Sequence, residues 1–355
     1  MKILLVSPTP PPNGGIASWT EKYIDFFKNS DFQIELIDTS IIGQRIRCLS
    51  KKNYLDEIIR LIQIIKNLNC ALKKNEFNIA HINTSCSKMG MIKDWLIIKK
   101  IYKYNLPIIL QCHCDVKDQI QQNMLSKYLF GKICKFSSKI LVLNEKSHEY
   151  LKELKIKSSI FPNFIDDEIV KNEKKTINEK IHNILFIGHI TKTKGIDELL
   201  EVAKCLKDIN FIFVGELHEN YKNKSYAQNI FFVGNVNHRE VIGYLDNADV
   251  FILPSYTEGF SVAVLEAMAR GLPIITTNVG YNTTLIGDEG GIIVETRDVN
   301  SIIESISILQ NYRYREKIST RNIKVASEYT QSCVINKLLN IYMEVINECI
   351  PFYKK

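Results

Sequence analysis

Leu253-Pro254-Ser255-Tyr256-Thr257-Glu258-Gly259-Phe260-Ser261-Val262-Ala263-Val264-Leu265-Glu266-Ala267-Met268-Ala269-Arg270-Gly271-Leu272-Pro273 decides how the rest of the chain is read. The apolar run Val250–Leu253 predicts a buried parallel strand. Pro254 to Gly259 carry turn chemistry. Ser261 suits an N-cap, and Val262 to Arg270 read as a helix stopped by Gly271 and Pro273. A strand, a loop and a helix in that order put free helix N–H groups at the strand's carboxyl end, a place suited to an anion. Glu258 sits in the loop and Glu266 stands eight residues later, two turns into the helix. Taken alone, the two carboxylates also suit a core helix with solvated glutamates.

The full string P-S-x-x-E-G-F-S-x-x-x-L-E-A-M-A-x-G-x-P resembles the signature of the retaining nucleotide-sugar glycosyltransferases of family four, which have the GT-B fold. Two Rossmann-like α/β domains, with parallel sheets facing a central cleft and a C-terminal helix crossing back to the first domain, are therefore expected.

The chain has 355 residues, 45% of them hydrophobic, an ordinary composition with length for two domains. No stretch approaches the ~18 uncharged apolar residues of a membrane span. Met1 and Lys2 lead straight into a strand-like run, unlike a secretory leader. The nine cysteines contain no CxxC pair and read as reduced thiols of a cytosolic protein. Zinc at Cys112-His113-Cys114 is disfavoured, because strand alternation would turn His113 away from both thiols. The net charge of +7 is uneven: residues 1–170 hold 25 Lys/Arg against 17 Asp/Glu, and the remainder holds 21 against 22. A basic first half suits an anionic membrane surface or a pyrophosphate-linked acceptor, and solvated lysine faces are the plain alternative. No nucleic-acid-binding motif is present.

Lys2 to Ser7 predict the first strand, followed by the proline-rich loop Pro8 to Gly15 and an amphipathic helix over Ile16 to Phe27. Gly14 and Gly15 let backbone approach a ligand closely, and the third glycine of a dinucleotide fingerprint is missing. Further strands are expected at 33–37, 79–83, 107–113 and 139–143, with helices between, which argues for a parallel sheet covered on both faces. The helix over Tyr54 to Lys74 places Leu55, Ile58, Ile59, Ile62 and Ile65 on an apolar stripe, preceded by Arg45, Arg47, Lys51 and Lys52. It and the basic helix from Lys93 to Tyr104 are expected to cover the sheet, with a membrane surface as the alternative. His113 ends the fourth apolar run, where ligands of α/β folds bind. Pro162-Asn163-Phe164-Ile165-Asp166 resembles the family's handover segment. The expected organisation is a first domain over 1–165, a charged linker over 166–182, a second domain over 183–335, and a returning helix over 336–355.

In the second domain, Phe186-Ile187-Gly188-His189-Ile190-Thr191-Lys192-Thr193-Lys194-Gly195 resembles the family's F-x-G-R-x-x-x-x-K-G segment, with His189 in place of arginine. The resemblance implies that Lys194, helped by His189, offsets charge on the departing diphosphate. It implies that Glu266 holds the donor ribose, that Gly259 belongs to the donor site, and that Phe260, Ser261 and Val262 offer backbone N–H groups to the pyrophosphate. Gly234, Asn235 and Val236 match the position where backbone meets the base. Glu258 is implied near the reacting carbon and His113, in an H-x-x-D-like context with Asp115, beside the donor sugar. Gly14 and Gly15 match the acceptor and phosphate loop. No metal and no cofactor are implied, the nucleotide-sugar being a substrate. The expected activity is transfer of a sugar, most simply from a UDP-sugar, to a glycan or lipid-linked acceptor in capsule or lipopolysaccharide assembly at the cytoplasmic membrane face. A non-catalytic GT-B scaffold is the alternative, while a nucleotide-sugar epimerase or reductase lacks its dinucleotide fingerprint here.

Overall fold

In the computed structural model, residues 1–11, 14–41, 54–121, 123–171, 173 and 175–353 are described. Pro12, Asn13, Arg45, Arg47, Lys51 and Lys52 lie outside them. The chain forms two units, Met1–Asn163 with Gln331–Lys355, and Phe164–Thr330.

The first unit holds six parallel strands: β1 (Lys2–Ser7), β2 (Gln33–Asp38), β3 (Ile79–Thr84), β4 (Ile108–Cys112), β5 (Lys139–Val142) and the two-residue β6 (Ser159–Ile160). Their order is β2-β1-β3-β4-β5-β6. The helices are α1 (Gly15–Phe27), α2 (Tyr54–Lys74), α3 (Lys88–Tyr102), α4 (Val116–Ile120), α5 (Met124–Lys135) and α6 (Glu145–Glu153). β3 and β4 are buried throughout, as expected of strands covered on both faces. The order reverses between β1 and β3, so ligands of this unit belong beyond Ser7, Thr84 and Cys112.

The second unit repeats the plan with β7 (Asn183–Ile187), β8 (Asn210–Val214), β9 (Ile230–Gly234), β10 (Val250–Leu253), β11 (Ile274–Thr277) and β12 (Gly291–Val294). Their order is β12-β11-β10-β7-β8-β9, again all parallel, with the reversal between β7 and β10. The helices are α7 (Ile196–Cys205), α8 (His238–Asn247), α9 (Val262–Ala269), α10 (Asn282–Ile286), α11 (Val299–Ile308) and α12 (Tyr312–Ala326). Phe186, Phe211, Phe213 and Phe251 fill the core. The last helix, α13 (Gln331–Tyr353), belongs to the first unit, where Val334, Ile335, Leu338, Tyr342 and Val345 are buried.

Three details depart from the sequence reading. The described residues of the segment 166–182, expected as a linker, belong to the second unit. Asp167–Ile169 forms a 3-10 turn, Ile169 and Ile181 are buried, and the Lys175 ammonium donates to Leu245 O at 3.2 Å and Asp246 O at 2.7 Å. Those carbonyls lie in the last turn of α8, where a cation complements the helix dipole, so lysine here is a packing residue. The returning helix starts at Gln331, five residues before the expected 336. The other departure is in α2. Its sheet-facing side is Ile64, Leu68, Ala71 and Leu72, whereas Leu55, Ile58, Ile59 and Ile62 are each more than half exposed. The apolar stripe of the first two turns therefore does not cover the sheet.

Candidate functional site

β7 and β10 run side by side, pairing Ile184 with Val250 and Leu185 with Phe251. The segments that follow them, from Gly188 and from Pro254, thus leave the same sheet edge at the strand-order reversal. Gly195 joins them. Its φ is +75°, and a Cβ there would lie 2.3 Å from Pro254 O, so only glycine fits. The Tyr256 amide donates to Thr193 O at 2.9 Å, fixing the turn Lys192–Lys194 against the loop after β10.

This docking brings together two of the residues singled out in the sequence. Lys194 Nζ lies 2.5 Å from Glu258 Oε1, with side-chain exposures of 25% and 11%. Ser255 Oγ donates to the same carboxylate oxygen at 2.8 Å. Ser255 is itself held where Thr277 Oγ1 donates to its carbonyl at 2.5 Å. The sequence reading does not single out Ser255, although its place three residues before Glu258 is the available signal. A half-buried ammonium paired with a carboxylate can exchange that partner for another anion, such as a phosphate.

Beyond Glu258 the chain enters α9, as the sequence predicts. Ser261 caps it, its Oγ accepting from the Val264 amide at 3.4 Å. Phe260 is buried and stacks on Tyr281 with centroids 5.3 Å apart. Val264, Leu265, Ala267, Met268 and Ala269 face the core, leaving Val262, Ala263 and Glu266 on the half-buried side. On the neighbouring strands, Gly215 follows β8 with φ +137°, and a Cβ there would meet Gly188 O at 2.0 Å. Its amide donates to Gly234 O at 2.9 Å. Gly188, Gly215 and Gly234 thereby line the carboxyl ends of β7, β8 and β9 with backbone. Asn235 is exposed, and Gly234 and Val236 are half-buried. His189 is largely exposed, and its Nδ1 lies 3.8 Å from Glu216 Oε2. Lys192 Nζ lies 3.8 Å from Asp197 Oδ2. Neither is drawn into the Lys194–Glu258 pair.

In the first unit, Gly14 and Gly15 open α1. Gly14 is extended, and an added Cβ at either meets none of the described residues within 4 Å. Local packing therefore does not demand glycine there. His113 follows β4, its amide donating to Thr84 O at 2.8 Å, and its Nε2 lies 2.9 Å from Asn83 Oδ1. Trp19 packs edge-on at 5.4 Å. Asp115 is not a partner of His113 but the N-cap of α4: its Oδ1 accepts from the Asp118 amide at 3.0 Å, and Lys146 lies 3.3 Å from its other oxygen. Burial raises its carboxyl above the usual range. Cys86 and Cys112 are buried free thiols beside this strand end. Among the described residues, no cluster of three or more His, Cys, Asp or Glu is arranged to hold a metal ion.

Burial lowers the His113 imidazolium pKa to about 3 and that of His81 to about 4. Both rings are neutral in the folded protein at pH 5, while the unfolded chain takes up a proton on each below about 6.5. The unfolded state then binds more protons, so stability is complete above about pH 6.5 and falls on acidification toward pH 4. At about 1.4 kcal/mol per pH unit and group, each histidine removes roughly 2 kcal/mol by pH 5. Urea titrations at pH 7.5 and 5 are expected to show the first unit losing stability, and His81→Gln should weaken that pH dependence.

Comparison with known proteins relates the chain to glycosyltransferases. Residues 167–325 match the family described as glycosyl transferases group 1. The second unit is a glycosyl transferases group 1 domain. An uncharacterized glycosyltransferase of Methanocaldococcus jannaschii is 24% identical over 361 residues, covering 97% of this chain and 99% of the relative. The N,N'-diacetylbacillosaminyl-diphospho-undecaprenol alpha-1,3-N-acetylgalactosaminyltransferase of Campylobacter jejuni is 28% identical, covering 60% of this chain and 62% of the relative. The capsular polysaccharide biosynthesis glycosyltransferase CapM of Staphylococcus aureus is also 28% identical, over 62% and 66% of the two chains. Among solved structures, sucrose-phosphate synthase of Thermosynechococcus elongatus superposes with a TM-score of 0.79 at 16% identity, over 98% of this chain and 99% of that one. HepE of Anabaena, solved with UDP, gives 0.74 at 14% identity, over 97% and 100%. The fold is GT-B, as the sequence reading expected.

Proposed function

We propose that this glycosyltransferase moves a sugar from a UDP-sugar to a lipid-linked glycan acceptor, with retention of anomeric configuration, in cell-surface polysaccharide assembly. The observation that carries the reading is the Lys194–Glu258–Ser255 cluster at the strand-order reversal, directly before the N-terminus of α9. The donor diphosphate sits over the first turn of α9, where the amides of Phe260, Ser261 and Val262 and the helix dipole favour negative charge. Lys194 turns from Glu258 to the phosphate and offsets charge as the nucleotide leaves. Glu258, relieved of its partner, meets the donor sugar near the reacting carbon. Glu266 accepts from the ribose hydroxyls, and the backbone at Gly234 to Val236 meets the base. The bond from the anomeric carbon to the phosphate oxygen breaks while the acceptor oxygen bonds on the same face. The acceptor's proton passes to the departing phosphate. His113 meets a substrate hydroxyl, and Gly14 and Gly15 give backbone access to acceptor phosphate. The chemistry needs no metal and no cofactor. Uracil is favoured by the UDP in HepE, and a diphosphate-lipid acceptor by the name of the Campylobacter relative. Proton NMR of sugar released from an α-linked UDP-sugar on prolonged incubation tests the reading: the α-anomer should appear first, and initial β-anomer would contradict retention. UDP binding without any turnover would instead favour the non-catalytic scaffold.

The partner surface is also part of this proposal. Ile58, Ile59 and Ile62 on α2, Met89 and Ile92 on α3, and Met124, Leu125 and Tyr128 on α5 are exposed, on helices that touch in series. Between α2 and α3 lies a groove of about 460 Å³, lined by Leu61, Ile62, Ile65 and Leu96 and rimmed by Lys99, Lys100 and Lys103. Apolar side chains ringed by lysine suit the inner, anionic face of a cell membrane. With each lysine adding about 1 kcal/mol on an anionic surface, replacing the three by alanine should weaken binding roughly a hundredfold. Flotation with phosphatidylglycerol vesicles should show that loss, and Ile58→Ser with Ile62→Ser should lower binding in high salt as well. Equal binding to phosphatidylcholine vesicles would count against the charge argument.

A further inference from the structure

Resting on the glycosyltransferase reading, we propose that Asn83 is a positioning residue that fixes His113 as its Nε2–H tautomer, making Nδ1 an obligatory acceptor for a substrate hydroxyl. The argument follows single protons through a buried network in the first unit. Thr20 Oγ1 donates to Ile16 O at 2.8 Å, and a carbonyl only accepts, so the hydroxyl's one proton is committed. Ser7 Oγ, 2.5 Å from Thr20 Oγ1, must then be the donor in that contact. Having given its proton, Ser7 Oγ accepts from Asn83 at 2.9 Å, which requires the Nδ2 side of the amide. Asn83 Oδ1 therefore faces the two imidazoles, at 2.9 Å from His113 Nε2 and 3.2 Å from His81 Nε2, and an amide oxygen only accepts. Both rings are thus protonated at Nε2 and both carry their lone pair at Nδ1. His81 Nδ1 accepts a hydrogen bond from Tyr342 OH at 2.5 Å, and Tyr342 in turn accepts from Tyr23 OH at 2.9 Å. His113 Nδ1 is buried and has no hydrogen-bond partner among the described residues.

Ser7, Thr20, His81 and Asn83 are at most 2% exposed, so water does not compete for these roles. The low basicity of His113 keeps the ring neutral across the physiological range. A buried lone pair just beyond the carboxyl end of β4 can then pair only with a donor, and a sugar hydroxyl is one. An analogue carrying hydrogen or fluorine in place of that hydroxyl leaves the acceptor unpaired, a loss of about tenfold to a hundredfold in kcat/KM.

Long-range proton–nitrogen NMR of the uniformly ¹⁵N-labelled chain, without substrate, tests the assignment. His113 Nε2 is expected at a protonated shift and Nδ1 at an unprotonated one, the signals being identified by their loss in His113→Gln. Protonation at Nδ1 would overturn the proposal while leaving the transferase reading intact. Failure of every nucleotide-sugar to turn over would do the reverse. A double-mutant cycle separates positioning from a general structural effect. Asn83→Leu should lower kcat/KM in the native background and have little further effect in His113→Ala. An undiminished effect in His113→Ala would refute the positioning role. If Asn83→Leu does not fold, the spectrum of the native chain decides alone.

Discussion

Lys194→Ala is expected to lower kcat by roughly 10²–10³, the usual consequence of removing one group that stabilises developing charge. The same change should also destabilise the second unit. Among the described residues, Glu258 then keeps only the Ser255 hydroxyl as partner, and it is 11% exposed, so an uncompensated carboxylate remains at the loop. A loss of about 1–3 kcal/mol follows from leaving such a group without its partner. Glu258→Gln behaves differently. The amide keeps an acceptor oxygen for Lys194 and Ser255, so stability should change little while kcat falls. The paired measurements are kcat/KM with a UDP-sugar and the urea midpoint of each variant. If Lys194→Ala lowered stability and left kcat unchanged, the ion pair would be purely structural, and the assignment of Lys194 to the diphosphate would fail.

Removing the last helix should have the largest effect on folding. Ile335, Leu338, Tyr342 and Val345 are each no more than 2% exposed, and their loss uncovers the matching surface of the first unit. Burial of side chains of this size contributes about 1.5–3 kcal/mol each, so four of them approach the whole stability of a domain, about 5–15 kcal/mol. The deletion also strands the buried Tyr23 hydroxyl and His81 Nδ1, which Tyr342 now joins. A chain ending at Thr330 should therefore show the first unit unfolded by amide exchange, with the second unit still protected. Tyr342→Phe isolates the polar part, with an expected cost of about 1–3 kcal/mol for orphaned groups. Full protection of the first unit in the truncated chain would contradict this role for the helix.

These expectations mark where the sequence is legible. The strands at Val250–Leu253 and Lys2–Ser7 are readable because each holds four consecutive apolar residues, Val250–Leu253 and Ile3–Val6, followed by turn residues. The capped helix at Ser261 is readable from local chemistry in the same way. The pairing of Lys194 with Glu258 spans 64 residues and comes from parallel strands and Gly195, so only family resemblance hinted that the two meet. Polar residues inside strands are harder still. His81 and Asn83 lie in a strand whose every residue is buried, and nothing local reveals that they join His113 to Tyr342. Charge also misleads at segment 166–182, because Lys175 is buried against the end of α8, five elements further along the chain. On α2, periodicity locates an apolar face without saying what covers it. Only the structure separates Ile64 and Leu68, which meet the sheet, from Ile58 and Ile62, which do not.

The most direct test of the donor site is thermal stability of the full chain with UDP, GDP or ADP, each with and without EDTA. A nucleotide at ~100 times its dissociation constant stabilises by about 2.7 kcal/mol, a readily measured shift. UDP should raise the melting temperature of the native chain, unchanged by EDTA, and do so far less in Lys194→Ala. A shift from UDP abolished by EDTA, or an equal shift in Lys194→Ala, would contradict the account of how this unit holds a diphosphate.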